Sequence, residues 1–195
     1  MGSIEINEIY DKCRHKLKEE LSNKRYLHSI GVSNTAACLA MRYGIDCNRA
    51  YLAGLLHDCA KGLGGEHLMK KAASHGIDIS QTEHDNPDLL HSKVGSIMAK
   101  EEYGIEDKEI LDAIYTHTTG APEMTALQEI IFVADYIEPN RTGLPGLDSI
   151  RQTAFTDIKK AIADICENTL SYLKSSPKAI DPATLKTYEY YRRAE

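Results

Sequence analysis

Two short apolar runs in this sequence each end in a carboxylate. The first, "LAGLLHD", places His57 and Asp58 side by side, and the second, "EIIFVAD", ends in Asp135. Both runs are typical of helices in a protein core, so the polar residues at their ends are expected to be buried. Neutral histidine and ionised aspartate are ligands for divalent transition metals. The two runs therefore indicate a candidate metal site.

Four of the eight histidines lie on apolar helix faces, as shown by the spacing of the apolar residues around them. These are His28 with Val32 and Leu39, His57 with Leu52, Ala53 and Leu56, His91 with Val94, Gly95 and Met98, and His117 with Ile110, Ala113 and Ile114. A single buried histidine is usually held by a hydrogen bond to the backbone. Burying six titratable groups costs several kcal/mol each unless a metal ion or an ion pair compensates. We therefore expect the four histidines, Asp58 and Asp135 to converge.

The other four histidines have polar neighbours. His15 lies among lysines and an arginine, and His67 and His75 flank the string "MKKAAS". A second His-Asp dipeptide, formed by His84 and Asp85, has no apolar run before it and an Asn-Pro pair directly after it. This context predicts a surface loop and not a second metal site.

The elements that must position these residues are helices. Apolar residues recur at helical spacing through most of the chain, and clear alternating strand patterns are absent, which predicts an all-α fold. No linker divides the sequence, so we expect a single domain over residues 1–195, with the core of the metal site in about 26–137 and C-terminal helices in about 149–193. Helices are predicted near residues 5–21, 26–43, 48–60, 65–75, 87–103, 107–118, 125–137, 149–174 and 182–193.

Composition excludes several classes of function. The formal net charge of -6 argues against binding to nucleic acid polymers or to anionic membrane surfaces, because both need an excess of Lys and Arg. No apolar run approaches the roughly 20 residues that span a bilayer. The five cysteines are scattered and contain no CxxC pair, which favours a reducing compartment and hence the cytoplasm.

The order of the ligand-type residues resembles the HD-domain superfamily of metal-dependent phosphohydrolases, whose core pattern is H…HD…D. More narrowly, the strings "LHDCAK", "LLHSKVG", "THTTG" and "VADYIEPNR" are similar to the bacterial YqeK-type symmetrical bis(5'-nucleosyl)-tetraphosphatases, over roughly residues 10–190. The resemblance implies a helical HD-domain fold and hydrolysis of diadenosine tetraphosphate to two ADP. It also implies two divalent transition-metal ions, with iron as the expected metal and manganese, cobalt or nickel as alternatives.

The resemblance also implies roles for individual residues. One metal would be held by His28, His57, Asp58 and Asp135, and the second by His91 and His117, with the catalytic Asp58 bridging the two. A tetraphosphate carries about four negative charges, so an acidic protein needs further cations near its metals. We expect Lys61 to serve as a catalytic and substrate-binding cation, and Thr118 and Arg141 as further substrate contacts.

Other functions stay open from the sequence. An HD-type phosphohydrolase acting on other nucleotides is the nearest alternative, and a substrate panel would separate the two. HD-like folds with two irons include oxygenases, so the ligand set alone does not prove hydrolysis, although Lys61 favours a phosphate substrate. A third alternative is a non-catalytic helical module with a structural metal. The set of six ligands argues against it, because a structural site would normally be closed with about four ligands. The expected partner is a dinucleoside polyphosphate or another nucleotide, and the sequence allows a homodimer.

Overall fold

The structure is a computed structural model that describes residues 3–176 and 179–193. Within these ranges it contains eleven α-helices and no strand, which confirms the all-α prediction. No helix in this part of the chain is long and apolar enough to cross a lipid bilayer. The helices are α1 (Ser3–Glu20), α2 (Asn23–Tyr43), α3 (Cys47–Leu56), α4 (Gly65–Ser74), α5 (Gln81–Asp85), α6 (His91–Glu101), α7 (Lys108–Thr116), α8 (Ala126–Ile137), α9 (Leu147–Ala154), α10 (Ile158–Lys174) and α11 (Pro182–Tyr191).

Five helices surround the centre of the fold. Helix α2 packs against α3 and α8, and α7 contacts α3, α6 and α8. Helix α1 covers α3 from outside, while α10 lies against α8 and carries α9 and α11 on its own flanks. The five central helices, α2, α3, α6, α7 and α8, therefore form one packed group.

Helices α2 and α3 approach each other closely at a glycine. A Cβ atom placed on Gly54 would lie 2.9 Å from the Cα of Ser33, which is nearer than backbone atoms tolerate. Because Gly54 has no side chain, the two helix backbones come into direct contact. This contact places the C-terminal end of α3 against the middle of α2.

Side-chain caps define where the site-bearing helices begin. Asp46 accepts hydrogen bonds from the backbone N–H groups of Asn48 and Arg49 at the start of α3. Thr125 and Gln128 form a capping box at the start of α8. Such caps satisfy backbone donors that have no partner within the helix, and so they fix the residue at which each helix begins.

One helix prediction was wrong at its C-terminal end. The helix predicted over 48–60 ends at Leu56, and the chain continues as a 3-10 turn over Cys59–Gly62. The Gly54 carbonyl is bonded by the side chain of His57 at 2.7 Å, and the backbone at Asp58 (φ -105°, ψ 18°) leaves the helical region. Helix α3 therefore ends directly before His57 and Asp58, the two residues that it positions.

The C-terminal half and the middle of the chain also differ from the prediction. The helix predicted over 149–174 is two helices, because Asp157 caps the start of α10 by accepting from the N–H of Lys160. The helix predicted over 87–103 begins as a 3-10 turn at Pro87–Leu90, so His91 is the first residue of α6. His84 lies on the surface as predicted, but in the short helix α5 and not in a loop.

The tyrosines near the C-terminus serve mainly to attach α11 to the domain. Tyr191 is buried, and its hydroxyl donates to Oε1 of Glu129 on α8 at 2.9 Å. Tyr188 is partly buried against the core, whereas Tyr190 is exposed. Tyr191 and Tyr188 therefore hold α11 against the rest of the domain.

Candidate metal centre

The six ligand-type residues lie close together between the central helices. His57 and His117 stand directly after the last residues of α3 and α7, and Asp58 follows His57. His91 opens α6, while His28 and Asp135 project from within α2 and α8. Three overlapping sets each have their donor atoms within 4.8 Å of one another: His28, His57 and Asp58; His57, His117 and Asp135; Asp58, His91 and His117.

One group of donor atoms gathers around the carboxylate of Asp135. Its Oδ1 lies 2.9 Å from Nε2 of His28 and 3.7 Å from Nε2 of His57. Oδ2 of Asp58 lies 3.6 Å from the same His57 atom. These four side chains are the set assigned above to the first metal.

A second group gathers around the other oxygen of Asp58. Its Oδ1 lies 3.3 Å from Nε2 of His91 and 3.4 Å from Nε2 of His117. The hydroxyl of Thr118 lies 3.0 Å from the His91 atom and 3.3 Å from the His117 atom. Each oxygen of Asp58 therefore faces a different group of histidines, as a bridging carboxylate would.

The tautomers of three histidines follow from their backbone contacts. Nδ1 of His57 lies 2.7 Å from the carbonyl of Gly54, and Nδ1 of His117 lies 2.7 Å from the carbonyl of Ile114. Nδ1 of His91 makes the same contact with the carbonyl three residues before it. Because a carbonyl only accepts, each Nδ1 carries the proton and each neutral Nε2 presents a lone pair.

The residues that the structure describes do not satisfy all of these lone pairs, because the Thr118 hydroxyl has a single proton to donate to His91 or His117. The Nε2 atoms of His91 and His117 lie 3.1 Å apart, although two lone pairs cannot bond each other. Nε2 of His57 is fully buried and has no hydrogen-bond partner among residues 3–176 and 179–193. Two donors that lie about 2.0–2.2 Å from one metal, at angles between 90° and 109°, are separated by about 2.8–3.6 Å, close to the distances seen here. The residues fit a divalent metal.

Burial and neighbouring charges favour the metal-binding protonation states at four of these groups. His28 is the exception: burial lowers its pKa, but the contacts with Asp135 and Glu138 raise it overall, so this imidazole must lose a proton when it binds a metal. Burial lowers the pKa of His57 to about 4 and lowers that of His91 as well. Burial alone would raise the pKa of Asp58, but the adjacent histidines hold it well below its usual range. Burial alone would also raise the pKa of Asp135, but His28 and Arg141 lower it overall. Neutral imidazoles and ionised carboxylates are the metal-binding forms.

The candidate site includes a buried glutamate that the sequence did not single out. Oε1 of Glu138 lies 3.0 Å from Nδ1 of His28, and its Oε2 accepts from the backbone and side-chain amides of Asn140. A Cβ atom on Gly31 would lie 2.3 Å from that Oε2, so a glycine in α2 leaves room for the carboxylate. The only sequence signal for Glu138 is its place directly after α8.

The predicted substrate contacts have different surroundings. Lys61 lies in the 3-10 turn after Asp58, half-buried and without an ion pair in the described part of the chain. The guanidinium of Arg141 is bound to Asp135, with Nη2 2.7 Å from Oδ1 and Nε 3.1 Å from the backbone carbonyl. Thr118 borders the second group of donors. His15, His67, His75 and His84 are all exposed and outside the cluster.

Comparison with known proteins gives concordant matches. Residues 25–140 match the HD domain family. The chain is 40% identical over 174 residues to a symmetrical bis(5'-nucleosyl)-tetraphosphatase of Bacillus subtilis, covering 89% of this chain and 92% of that protein. It is 36% identical over 189 residues to a protein of the same name from Staphylococcus aureus, covering 95% of each. A crystal structure from Clostridium acetobutylicum, described as a predicted HD superfamily hydrolase involved in NAD metabolism, matches with a TM-score of 0.92 and 39% identity, covering 95% of this chain and 98% of that one.

Proposed function

The chain belongs to the HD domain family, in the group of symmetrical bis(5'-nucleosyl)-tetraphosphatases, and on this premise we propose that it hydrolyses diadenosine tetraphosphate to two molecules of ADP. The observation that carries the proposal is the placement of the Asp58 carboxylate. Oδ2 faces His57 and Oδ1 faces His91 and His117, so one side chain joins two groups of donors. This arrangement suits a hydrolytic centre with two metals.

The proposed cofactor is a pair of divalent transition-metal ions, with iron as the expected metal and manganese, cobalt or nickel as alternatives. His28, His57, Asp58 and Asp135 would hold one ion, and Asp58, His91 and His117 would hold the other. When bound, such a pair acts as a Lewis acid and makes hydroxide available at neutral pH. No serine or cysteine nucleophile is then required.

The remaining residues position ligands and substrate. Glu138 holds the His28 ring through Nδ1 and thereby directs Nε2 toward Asp135. Arg141 orients the Asp135 carboxylate, and its remaining N–H groups are available to a phosphate oxygen. The ammonium of Lys61, which forms no ion pair with any residue that the structure describes, and the hydroxyl of Thr118 contact the phosphate bridge in this proposal.

Symmetrical cleavage requires attack at an inner phosphorus. The oxygen of one water molecule forms a bond to that phosphorus, and the bond between the phosphorus and the central bridging oxygen breaks. Each half then leaves as ADP, and the protons released from water pass to the solvent. Attack at an outer phosphorus would instead give AMP and ATP.

We propose that residues 1–195 act as one domain on a dinucleoside polyphosphate, in the cytoplasm, without binding a nucleic acid polymer or a membrane. The five free cysteines support a reducing compartment. A homodimer is compatible with the proposal and is tested by the mass of the protein in solution. Hydrolysis of other nucleotides by the same centre is the alternative function.

Hydrolysis in oxygen-18 water tests the proposal. The metal-loaded protein should convert diadenosine tetraphosphate to ADP as the sole primary product, with the label in a terminal phosphate of ADP. AMP and ATP as primary products would contradict symmetrical cleavage. Absence of turnover with iron, manganese or cobalt would contradict the proposed activity and favour an oxygenase or a structural site.

A further inference from the structure

A small cavity adjoins the candidate metal centre on the side of His91. Its volume is about 180 Å³, and Arg25, Lys61 and Asp88 line it together with His91. Pockets that hold a drug-sized molecule measure roughly 300–1,000 Å³, so this cavity is too small for a whole nucleotide. It is large enough for phosphate groups.

Hydrogen bonds connect the segments that carry the two cations to each other and to Asp58. The N–H of Lys61 donates to the carbonyl of Asp58 at 2.9 Å, and the guanidinium of Arg25 donates to the carbonyl of Lys61. Arg25 also precedes His28 by three residues, which places both on one side of α2. Both cations therefore line the same cavity as His91, on segments that also carry Asp58 and His28.

Charge in the cavity is not balanced by the protein. Neither Arg25 nor Lys61 forms an ion pair with any of the residues that the structure describes, whereas Arg141 is paired with Asp135. Asp88 is the one carboxylate among the residues lining the cavity, so one positive charge remains in excess. An oxyanion is the ligand that removes this excess.

We propose that Arg25 and Lys61 form a subsite for the phosphate groups of the bridge that lie beyond the attacked phosphorus. The planar guanidinium of Arg25 uses one donor on the Lys61 carbonyl and offers its other donors to two phosphate oxygens at once. The subsite thus binds the diphosphate portion of the departing ADP. This inference rests on the proposed function.

Arg25→Gln tests the subsite, and Lys24→Gln is its matched control. The control removes the same charge from the neighbouring exposed position of α2, which does not line the cavity. Steady-state hydrolysis of diadenosine tetraphosphate, inhibition by inorganic diphosphate, inhibition by adenosine and metal content per chain are measured for each protein.

In Arg25→Gln we expect KM to rise about tenfold, which corresponds to about 1.4 kcal/mol. Inhibition by inorganic diphosphate should weaken by a similar factor, while inhibition by adenosine and metal content stay as in the wild type. Lys24→Gln should match the wild type throughout. Unchanged inhibition by diphosphate would overturn the subsite. A parallel loss of adenosine inhibition or of metal would also overturn it, because that result would show that Arg25 supports the fold and does not bind phosphate.

The experiment separates failure of the subsite from failure of the proposed function. If the metal-loaded wild type does not cleave the substrate, the function is wrong, and calorimetric titration of inorganic diphosphate into the wild type and Arg25→Gln still decides the subsite. If Arg25→Gln does not fold, Arg25→Lys is measured instead. Weaker binding of diphosphate by this variant supports the inference, and binding equal to the wild type overturns it.

Discussion

Glu138 stands behind His28, with its Oε1 3.0 Å from Nδ1 of the imidazole. The three other histidines of the site donate from Nδ1 to backbone carbonyls, so His28 is distinguished by a carboxylate partner. A carboxylate makes an imidazole a more basic ligand than a carbonyl does and also fixes its orientation. Glu138 is almost fully buried, which strengthens both effects.

Glu138→Gln should therefore weaken metal binding. The variant keeps the shape of the side chain but loses its charge, and loss of such a partner typically costs 10–100-fold in metal affinity. Competition with a chelator measures this affinity without any assay of activity. Glu129→Gln is the matched control, because Glu129 is also buried but bonds Tyr191. Equal metal affinity in Glu138→Gln and the wild type would contradict the role.

The histidine cluster was predictable because its members occupy apolar helix faces. His28 and His57 continue rows of Leu, Val and Ala, and a helix must turn such rows inward. The exposed His84 was separated from them by the same reasoning, since no apolar run precedes it. Periodicity identified which side chains enter the core.

The rest of the site depends on contacts that have no periodic pattern. Glu138 and Arg141 belong to a polar stretch after α8, and only tertiary packing buries one and pairs the other with Asp135. The division between α9 and α10 was missed because Asp157 competes for backbone donors locally, within an otherwise helical pattern. Sequence spacing does not reveal which of these local bonds prevails.

The pair formed by Glu129 and Tyr191 predicts a pH dependence of stability. Burial raises the pKa of Glu129, and the hydrogen bond from Tyr191 only partly offsets this. A raised pKa in the folded state favours folding below the unfolded value of about 4.3, and this contribution is lost as pH rises through the folded value. Urea unfolding should therefore show Glu129→Gln gaining stability relative to the wild type between pH 4 and pH 8. A constant difference across this range would contradict the prediction.

The close contact of α2 and α3 predicts a large effect of a single methyl group. Gly54→Ala would bring Cβ to 2.9 Å from the Cα of Ser33, and because that neighbour is backbone the helices must separate. We expect a loss of about 1–3 kcal/mol in the free energy of unfolding. In Gly64→Ala, nothing lies within 4 Å of the new Cβ and φ is -75°, so denaturant unfolding should match or slightly exceed the wild type. Equal stability of the two variants would contradict the packing argument.

Asp58 and Asp85 both follow a histidine, but only Asp58 lies within the cluster. Asp58→Ala removes the carboxylate that joins the two groups of donor atoms, so we expect loss of metal and of hydrolysis.

His84→Ala changes an exposed residue of the second dipeptide and should keep wild-type metal content and turnover. Metal bound only to the folded state adds stability, about 4.1 kcal/mol when the free metal is a thousandfold above its Kd. A chelator should accordingly lower the Tm of the wild type and of His84→Ala while leaving that of Asp58→Ala unchanged. Equal loss of metal from both variants would show that burial did not distinguish the two pairs.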